Sequence, residues 1–184
     1  MELTFDEKAH EYKIGERSLP SVTAILKDAG LIDCRFFNDY AMMRGTFVHQ
    51  ACEMLDNGTL DEDTLDPALS GYVQAYKKFR EECPMAWTEI EHMRADSVLG
   101  YAGTPDRVGV LNGVKIVLDI KTSMVKSRWW GLQLSAYQML AKTHGRYSLR
   151  LGENGNYRLD KWDCKSDDMA WISTLNVYNW KRLK

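Results

Sequence analysis

The sequence of 184 residues has few cysteines, and none of them are closely spaced. Cys34, Cys52, Cys83 and Cys164 are scattered along the chain, and no C-x-x-C pair is present. This spacing argues against a zinc ribbon, a thioredoxin-like redox motif and a closely spaced iron–sulfur set. We therefore expect free thiols buried in the fold.

Long apolar runs, low-complexity tracts and a nucleotide-binding loop are also missing. No apolar stretch approaches the roughly 18 residues that span a bilayer, and the start of the chain is acidic where targeting peptides are basic. No G-x-x-x-x-G-K-[ST] loop is present, so the sequence does not predict coupling to ATP hydrolysis. We expect a single domain over residues 1–184, without a membrane partner, in the cytoplasm.

The total charge shows no excess of either sign. The chain has 24 Lys and Arg against 26 Asp and Glu, a formal net charge of −2. This total gives no indication of a polyanionic partner. The distribution is uneven, however, because residues 1–114 carry 11 basic and 20 acidic side chains (net −9), whereas residues 115–184 carry 13 basic and 6 acidic side chains (net +7).

Hydrophobic periodicity, caps and turn signals predict an α/β fold in which helices precede and follow a central antiparallel set of strands. Residues 1–20 form a predicted N-terminal hairpin (Leu3 to Ile14) and lead-in, and a helix follows between the N-cap Ser21 and Gly30. Further helices are predicted at 33–55, 67–83, 127–143 and 166–183, the last capped by Ser166. Strands are predicted at 86–98, 103–111, 114–122, 146–151 and 157–162.

The dipeptide Asn112-Gly113 predicts a two-residue hairpin loop. In such a hairpin, residues whose numbers sum to 225 face each other, so Asp106 lies opposite Asp119. Directly opposed residues point to the same face with Cβ atoms about 5 Å apart, and side-chain alternation adds Lys121 to that face. The neighbouring residues indicate that this strand pair is buried: Val108, Val110, Ile116 and Val117.

Two opposed carboxylates and an amine on a buried strand pair favour a divalent-metal site. Mg²⁺ and Mn²⁺ prefer oxygen ligands, and a bound cation would cancel the repulsion that otherwise raises the pKa of one aspartate. A lysine beside the ion can orient or deprotonate a water molecule. This combination predicts metal-assisted hydrolysis of a phosphodiester. The alternative is a cross-strand ion pair between Lys121 and one aspartate.

These residues resemble the PD-(D/E)XK nucleases. The signature of that superfamily is similar to Thr104-Pro105-Asp106 followed by Asp119-Ile120-Lys121. Residues 133–137, which begin with Gln133 and end with Tyr137, resemble the Q-x-x-x-Y element of its RecB-like exonuclease branch, including phage-type exonucleases. Residues 45–49 resemble the G-x-x-x-H helix motif of the same branch. The order and spacing of these motifs agree over residues 44–137, the motif-bearing core.

The resemblance implies a restriction-endonuclease-like core, in which a central mixed sheet with a catalytic antiparallel hairpin is flanked by helices. It implies Mg²⁺ or Mn²⁺ as cofactor, held by His49, Asp106, Asp119 and the carbonyl of Ile120. Lys121 would be the catalytic lysine, and Asp106 and Asp119 would share in catalysis.

The resemblance also implies catalytic roles for two residues of the following helix, Gln133 and Tyr137. Residues four apart share one helix face, so both side chains could face the site strands. The alternative is a polar helix face in contact with solvent. A partly buried structural histidine is likewise the alternative for His49.

The sequence leaves alternative roles for two acidic residues, Glu53 and Glu91. Glu53 lies one helical turn beyond His49 and could orient its ring or bind a second ion, or it could be a surface acid. Glu91 resembles a family acid near the site, but Glu89 is two residues away on the same predicted face. The sequence does not separate the two.

The basic half of the chain predicts contact with DNA. Lys126, Arg128 and Trp129 follow the catalytic strand, a composition suited to a phosphate backbone and to stacking on unpaired bases. Lys142, Arg146 and Arg150 are expected to extend this basic surface. Core packing is the alternative for Trp129 and the adjacent Trp130.

The leading hypothesis is a metal-dependent exonuclease that acts at single- or double-stranded DNA ends in phage-type recombination, replication or repair. It would work in the cytoplasm of a bacterium or of a phage-infected host, with a single-strand annealing or binding protein as candidate partner. The alternatives are a structure-specific or restriction-like endonuclease, which uses the same core, and a catalytically silent DNA-binding module.

Overall fold

The helices and strands of the chain alternate in a computed structural model that describes residues 2–6, 11–32 and 38–183. The helices are α1 (Val22–Asp28), α2 (Asp39–Asp56), α3 (Pro67–Glu82), α4 (Trp129–Ala141) and α5 (Lys165–Trp180). The strands are β1 (Leu3–Asp6), β2 (Glu11–Ile14), β3 (Arg17–Leu19), β4 (Ala86–Ile90), β5 (Arg94–Asp96), β6 (Tyr101–Gly103), β7 (Arg107–Leu111), β8 (Val114–Lys121), β9 (Gly145–Leu151) and β10 (Tyr157–Lys161). A short 3-10 helix spans Glu62–Thr64.

A mixed five-stranded sheet in the order β10-β9-β8-β7-β4 forms the centre of the molecule. The mixed sheet that the resemblance implies is confirmed, because β8 and β9 pair in parallel, whereas the local strand pattern alone predicted an antiparallel set. Parallel neighbours need a crossover connection, which α4 supplies between them. The remaining pairs of this sheet, β4–β7, β7–β8 and β9–β10, are antiparallel.

Helices cover both faces of the central sheet. On one face, Val108 and Val117 pack with side chains of α1, α4 and α5. On the other face, Ile116, Leu118 and Ile120 pack with side chains of α2 and α3. Burial on both faces explains why the middle of β8, residues 116–118, is apolar without alternation.

The β7–β8 hairpin has the predicted register, with Arg107 paired to Leu118 and Leu111 paired to Val114. Both loop residues have positive φ angles, 50° for Asn112 and 78° for Gly113, as a type I′ turn requires. One expectation fails at the tip, where Val110 is exposed rather than buried.

Capping residues fix two helices as the sequence predicts. Ser21 Oγ accepts a hydrogen bond from the N–H of Ala24 at 3.0 Å and caps α1. Asp66 Oδ1 accepts from the N–H of Ala68 at 2.9 Å, and Pro67 occupies the first position of α3.

Several predicted boundaries differ from the structure. The strand predicted at 86–98 is divided into β4 and β5, and the strand predicted at 103–111 is divided between the end of β6 and β7; in both cases the two parts belong to different sheets. The helix predicted from residue 33 begins at Asp39 as α2, capped by Asn38, and residues 33–37 lie outside the described residues. The last helix begins at Lys165, with Cys164 rather than Ser166 at the N-cap position.

The N-terminal residues form a separate three-stranded sheet, β1-β2-β3. The predicted pairing of β1 with β2 is confirmed, and residues 7–10 at its tip lie outside the described residues. Tyr12 and Leu19 pack this sheet against Ala102 of β6.

The described cysteines are all free, but only Cys52 is buried, since Cys83 is half-buried and Cys164 is exposed. Cys34 lies outside the described residues. Within the described ranges, the helices are too short or too polar for any of them to span a bilayer.

Candidate active site

Three separate elements bring metal-ligating side chains together. His49 comes from α2, Asp106 from the residue before β7, and Glu91 from the residue after β4. One ligand atom from each lies within 4.8 Å of the others. His49 Nδ1 is 3.4 Å from Asp106 Oδ2, so the helix histidine and the first aspartate of the motif are in contact.

Asp106 is held in a buried position at the end of the β7–β8 ladder. Its Oδ2 accepts a hydrogen bond from the N–H of Ile120 at 2.5 Å. Burial alone would raise the pKa of Asp106, but the charge and hydrogen bond of His49, together with Lys121, lower it below its usual value. The carboxylate is therefore ionised and available as a ligand. The carbonyl of Ile120 as a ligand stays a prediction.

Asp119 and Lys121 meet on the neighbouring strand, β8. Lys121 Nζ lies 2.5 Å from Asp119 Oδ2 and donates a hydrogen bond to Gln133 Oε1 at 2.8 Å. Burial and the nearby charge of Asp106 raise the pKa of Asp119 to about 6, although Lys121 opposes the shift. Asp119 lies outside the group of three ligand atoms, and the ion pair with Lys121 that the sequence left as an alternative is present.

The donor set fits a divalent cation. An imidazole nitrogen and carboxylate oxygens are ligands that Mg²⁺ and Mn²⁺ accept, and close carboxylates repel each other without a cation. The Oδ2 atom of Asp119 is buried, and its charge is balanced by the Lys121 ammonium 2.5 Å away.

The structure separates Glu89 from Glu91. Glu89 Oε2 accepts a hydrogen bond from Arg94 Nε at 2.8 Å, which occupies it in an ion pair away from the site. Glu91 has a φ of 47°, a left-handed conformation that breaks the strand and turns its side chain toward Asp106. Burial and the charge of Asp106 raise the pKa of Glu91 to about 8. The expectation that Glu89 and Glu91 share a face was wrong because this bend interrupts the alternation.

Gln133 and Tyr137 both face inward from α4. Gln133 and Tyr137 are buried, so the alternative of a solvent-facing polar stripe is wrong. Gln133 Nε2 donates to Tyr137 Oη at 3.3 Å while its Oε1 accepts from Lys121. Tyr137, Gln133 and Lys121 are therefore joined by consecutive hydrogen bonds, which fix the lysine ammonium from the side of α4.

The two tryptophans at the start of α4, Trp129 and Trp130, have different environments. Trp130 is buried in the core, whereas Trp129 is partly buried and lines the site cavity. Lys121 Nζ lies 5.2 Å and 5.6 Å from the ring centroids of Trp129 and Trp130. Both indoles therefore help to hold the ammonium.

The predicted basic surface is smaller than the sequence indicates. Arg128 is exposed, whereas Lys126 Nζ lies 4.0 Å from the ring centroid of Trp162 and 3.9 Å from Asp160 Oδ1. Arg146 and Arg150 do not extend this surface as expected, because both are buried in β9. Their partners are internal acids: Arg146 pairs with Asp167 and Asp168, and Arg150 pairs with Asp160.

An open cavity of about 1040 Å³ gives access to these groups. Its wall includes His49, Glu53, Glu91, Lys121 and Gln133. Glu53 therefore faces the site rather than bulk solvent on the far side of α2. This volume is larger than an ion and its waters need.

Sequence reasoning missed Arg44, which lines the same cavity. Its guanidinium carbon lies 5.4 Å from the Tyr72 ring centroid and 5.9 Å from that of Tyr40, and it pairs with no acid among the described residues. The sequence offered one indication of its role: Arg44 directly precedes Gly45 of the helix motif, in a half of the chain that has a net negative charge. Arg107 and Asp56 were also missed, and they lie beneath the site.

Comparisons with known proteins establish the fold. No protein-family model matches the sequence, and no curated protein matches it. Solved structures that are similar to this chain include the following three. SSO0001 has 12% identity and a TM-score of 0.50 over 94% of this chain and 80% of that chain. A protein from Eubacterium rectale assigned as an exonuclease has 10% identity and a TM-score of 0.51 over 86% and 71%. The alkaline exonuclease LHK-Exo from Laribacter hongkongensis has 9% identity and a TM-score of 0.51 over 88% and 86%. This chain accordingly has a restriction-endonuclease-like core, a mixed α/β fold similar to that of exonucleases.

Proposed function

We propose that this protein is a divalent-metal-dependent DNA exonuclease that hydrolyses phosphodiester bonds at DNA ends. The observation that carries the proposal is the meeting of His49, Glu91 and Asp106 within 4.8 Å in an open cavity that Lys121 also lines. The shared fold of two proteins named exonucleases supports action at ends. A role in phage-type recombination, replication or repair is part of the same proposal.

The site would hold Mg²⁺ or Mn²⁺ through His49, Asp106 and Asp119, with the carbonyl of Ile120, as the motifs imply. Glu91 joins this set on the strength of its position beside Asp106 and His49. A bound ion would supply charge neutralisation at the phosphate and a more acidic bound water. The side chains around the ion would orient the water and bind the DNA strand.

Lys121 is placed to orient the attacking water and to stabilise charge on the phosphate. Its ammonium is fixed from three sides, by Asp119 on its own strand, by Gln133 on α4 and by the indole of Trp129. A preorganised donor of this kind stabilises the transition state more than a mobile one, because no reorganisation is needed as charge develops. Tyr137 supports Gln133 from one turn further along α4.

Four residues around the cavity are proposed to hold the DNA strand. Arg44 and Trp129 line the cavity, and Lys126 and Arg128 lie in the segment that joins β8 to α4. Cations bind the phosphate backbone without regard to sequence, and the partly exposed indole offers a surface for a base.

End-labelled single-stranded, blunt duplex and circular DNA, incubated with Mg²⁺, Mn²⁺ or chelator, test the proposed function. We expect the linear substrates to be shortened from an end only when metal is present, and circular DNA to stay intact. Lys121→Ala should slow cleavage by on the order of 10²- to 10³-fold, because a preorganised transition-state donor is lost. Lys78→Ala, an exposed lysine of α3 that does not line the cavity, is the matched control and should cleave like the wild type.

Metal binding is measured separately by calorimetry with Mn²⁺. Asp106→Asn should weaken binding, because an anionic ligand becomes a neutral one. Cut circular DNA would favour the endonuclease alternative. A wild type that binds Mn²⁺ but cleaves none of the substrates would favour a silent DNA-binding module.

A further inference from the structure

Directly beneath the candidate metal site lies a buried ion pair that the proposed function does not use. Arg107 is fully buried, and the side chain of Asp56 is 1% exposed. Arg107 Nε donates a hydrogen bond to Asp56 Oδ2 at 2.7 Å. Burying two charges is costly unless both are fully engaged, so the other contacts of this pair matter.

The other hydrogen bonds of Arg107 are directed to the site. Its Nη1 donates to Glu91 Oε1 at 3.1 Å and to the carbonyl oxygen of Asp106 at 2.6 Å. The same carbonyl accepts a hydrogen bond from the N–H of Glu91 at 2.9 Å. Arg107 therefore links the side chain of one acid to the backbone of the other.

This link explains how Glu91 keeps an unfavourable backbone conformation. A φ of 47° is uncommon for a residue other than glycine and persists only where surrounding contacts impose it. The two hydrogen bonds described above, one to its side chain and one from its backbone, are such contacts. Without them we expect the Glu91 carboxylate to leave the position from which it approaches His49 and Asp106.

Asp56 anchors the guanidinium from α2. His49 and Asp56 are seven residues apart, two turns on the same side of that helix. His49 contacts Asp106 while Asp56 contacts the next residue, Arg107, so the helix is fixed against the start of β7 at two points. On the other side, Tyr76 Oη donates to Asp56 Oδ2 at 2.5 Å, and Arg80 pairs with Oδ1.

We propose that Arg107, anchored by Asp56, is a positioning residue that holds Glu91 and Asp106 at the separation needed to bind a divalent cation. Its relevance to DNA cleavage rests on the proposed function, but the effect itself is on metal binding. Partners that orient metal ligands typically change metal affinity by about 10- to 100-fold when they are removed.

The test compares Arg107→Lys with Arg80→Lys by Mn²⁺ calorimetry and by thermal unfolding with chelator. Arg80 is the matched control, because it pairs with the same Asp56 but is not among the contacts of Glu91. We expect Arg107→Lys to weaken Mn²⁺ binding by about 10-fold or more, since a lysine cannot reach Asp56 and Glu91 with a planar fork. Arg80→Lys should leave Mn²⁺ affinity within about twofold of the wild type, because Glu91 keeps its partner.

Asp56→Asn provides a second route if the arginine variant does not fold, because it keeps the shape and removes the anchoring charge. It should also weaken Mn²⁺ binding. In the Glu91→Gln background the effect of Arg107→Lys should shrink, since its main target is already altered. Arg107→Lys and Asp56→Asn proteins that unfold more easily but bind Mn²⁺ like the wild type would overturn the proposal. A wild type that binds Mn²⁺ without cleaving DNA would overturn the proposed function and leave this inference standing.

Discussion

Four acidic or basic side chains at the site have pKa values that their surroundings move. Burial alone would lower the pKa of His49, but the charges of Asp106, Glu91 and Asp119 raise it to about 9. Glu91 is raised to about 8 and Asp119 to about 6, both chiefly by burial, whereas the pKa of Asp106 is lowered. Without a metal, the site therefore binds protons at His49 and Glu91 more tightly than an ordinary histidine or glutamate does.

These shifts predict that the metal-free protein loses stability as pH rises. A group whose pKa is higher in the folded than in the unfolded chain stabilises the fold at low pH, and this contribution disappears as pH rises through the folded value. For Glu91 the range runs from 4.5 to about 8, and for His49 from 6.5 to about 9. Thermal unfolding in chelator, measured at a series of pH values from about 6 to 9, should show a falling Tm.

The metal should reverse this trend. Ligands bind metal in their deprotonated forms, so Mn²⁺ affinity should increase over the same pH range and binding should release protons. Calorimetry in buffers of different ionisation enthalpy counts those protons. The double variant His49→Gln, Glu91→Gln is the control, and its metal-free Tm should change little with pH. A Tm of the chelated wild type that rises between these pH values would contradict the assignment.

The β7–β8 hairpin shows how much of the site could be predicted from the sequence. A two-residue loop determines the register of the strands that it joins. The dipeptide Asn112-Gly113 was therefore enough to place Asp106 near Asp119, and side-chain alternation added Lys121 to the same face. Helix periodicity likewise placed Gln133 and Tyr137 together. These predictions depend on residues close in sequence, where local geometry decides.

The incorrect predictions depend on contacts between distant segments. The bend at Glu91 is imposed by Asp106 and Arg107, which lie 15 and 16 residues further along the chain. Arg146 and Arg150 belong to a strand with a neighbour on each side, and they are buried because acids from β10 and α5 pair with them. No local pattern indicates such partners, and an arginine in an isolated strand is expected to be exposed.

Gly71 of α3 provides a test of the packing of that helix against the β9–β10 turn. A Cβ at this position would lie 1.7 Å from the carbonyl oxygen of Glu153. Helix propensity alone favours alanine over glycine by about 1 kcal/mol, but overpacking against backbone typically costs about 1–3 kcal/mol. We expect Gly71→Ala to lower the free energy of unfolding, measured by urea denaturation.

The adjacent Ser70→Ala is the control for this prediction. It changes the same helix without adding a side chain toward the turn, and its free energy of unfolding should stay close to that of the wild type. Gly71→Ala protein that is more stable than the wild type would show that the turn at Glu153 moves aside easily.

At the scale of the whole molecule, the basic residues fall into two groups, those paired with internal acids and those near the cavity. Arg146 and Arg150 belong to the basic half of the sequence, but internal acids neutralise them. The cations near the cavity are fewer: Arg44 lines it, and the exposed Arg128 directly precedes a residue that lines it. The acids of the site, which repel DNA in the free protein, would be neutralised by a bound cation. We therefore expect DNA binding that is weak, sensitive to salt and dependent on divalent metal.

Salt dependence measured on the cleavage-deficient Lys121→Ala protein tests this expectation. The logarithm of the affinity for a short single strand should fall linearly with the logarithm of salt concentration, and Arg128→Ala should reduce the slope by about 1, because one phosphate contact is lost. Lys78→Ala, which removes an equal charge from the exposed side of α3, should leave the slope unchanged. If DNA contacts the cavity, the position of the lost cation should matter. Equal changes of the slope in Arg128→Ala and Lys78→Ala would instead show that net charge governs binding.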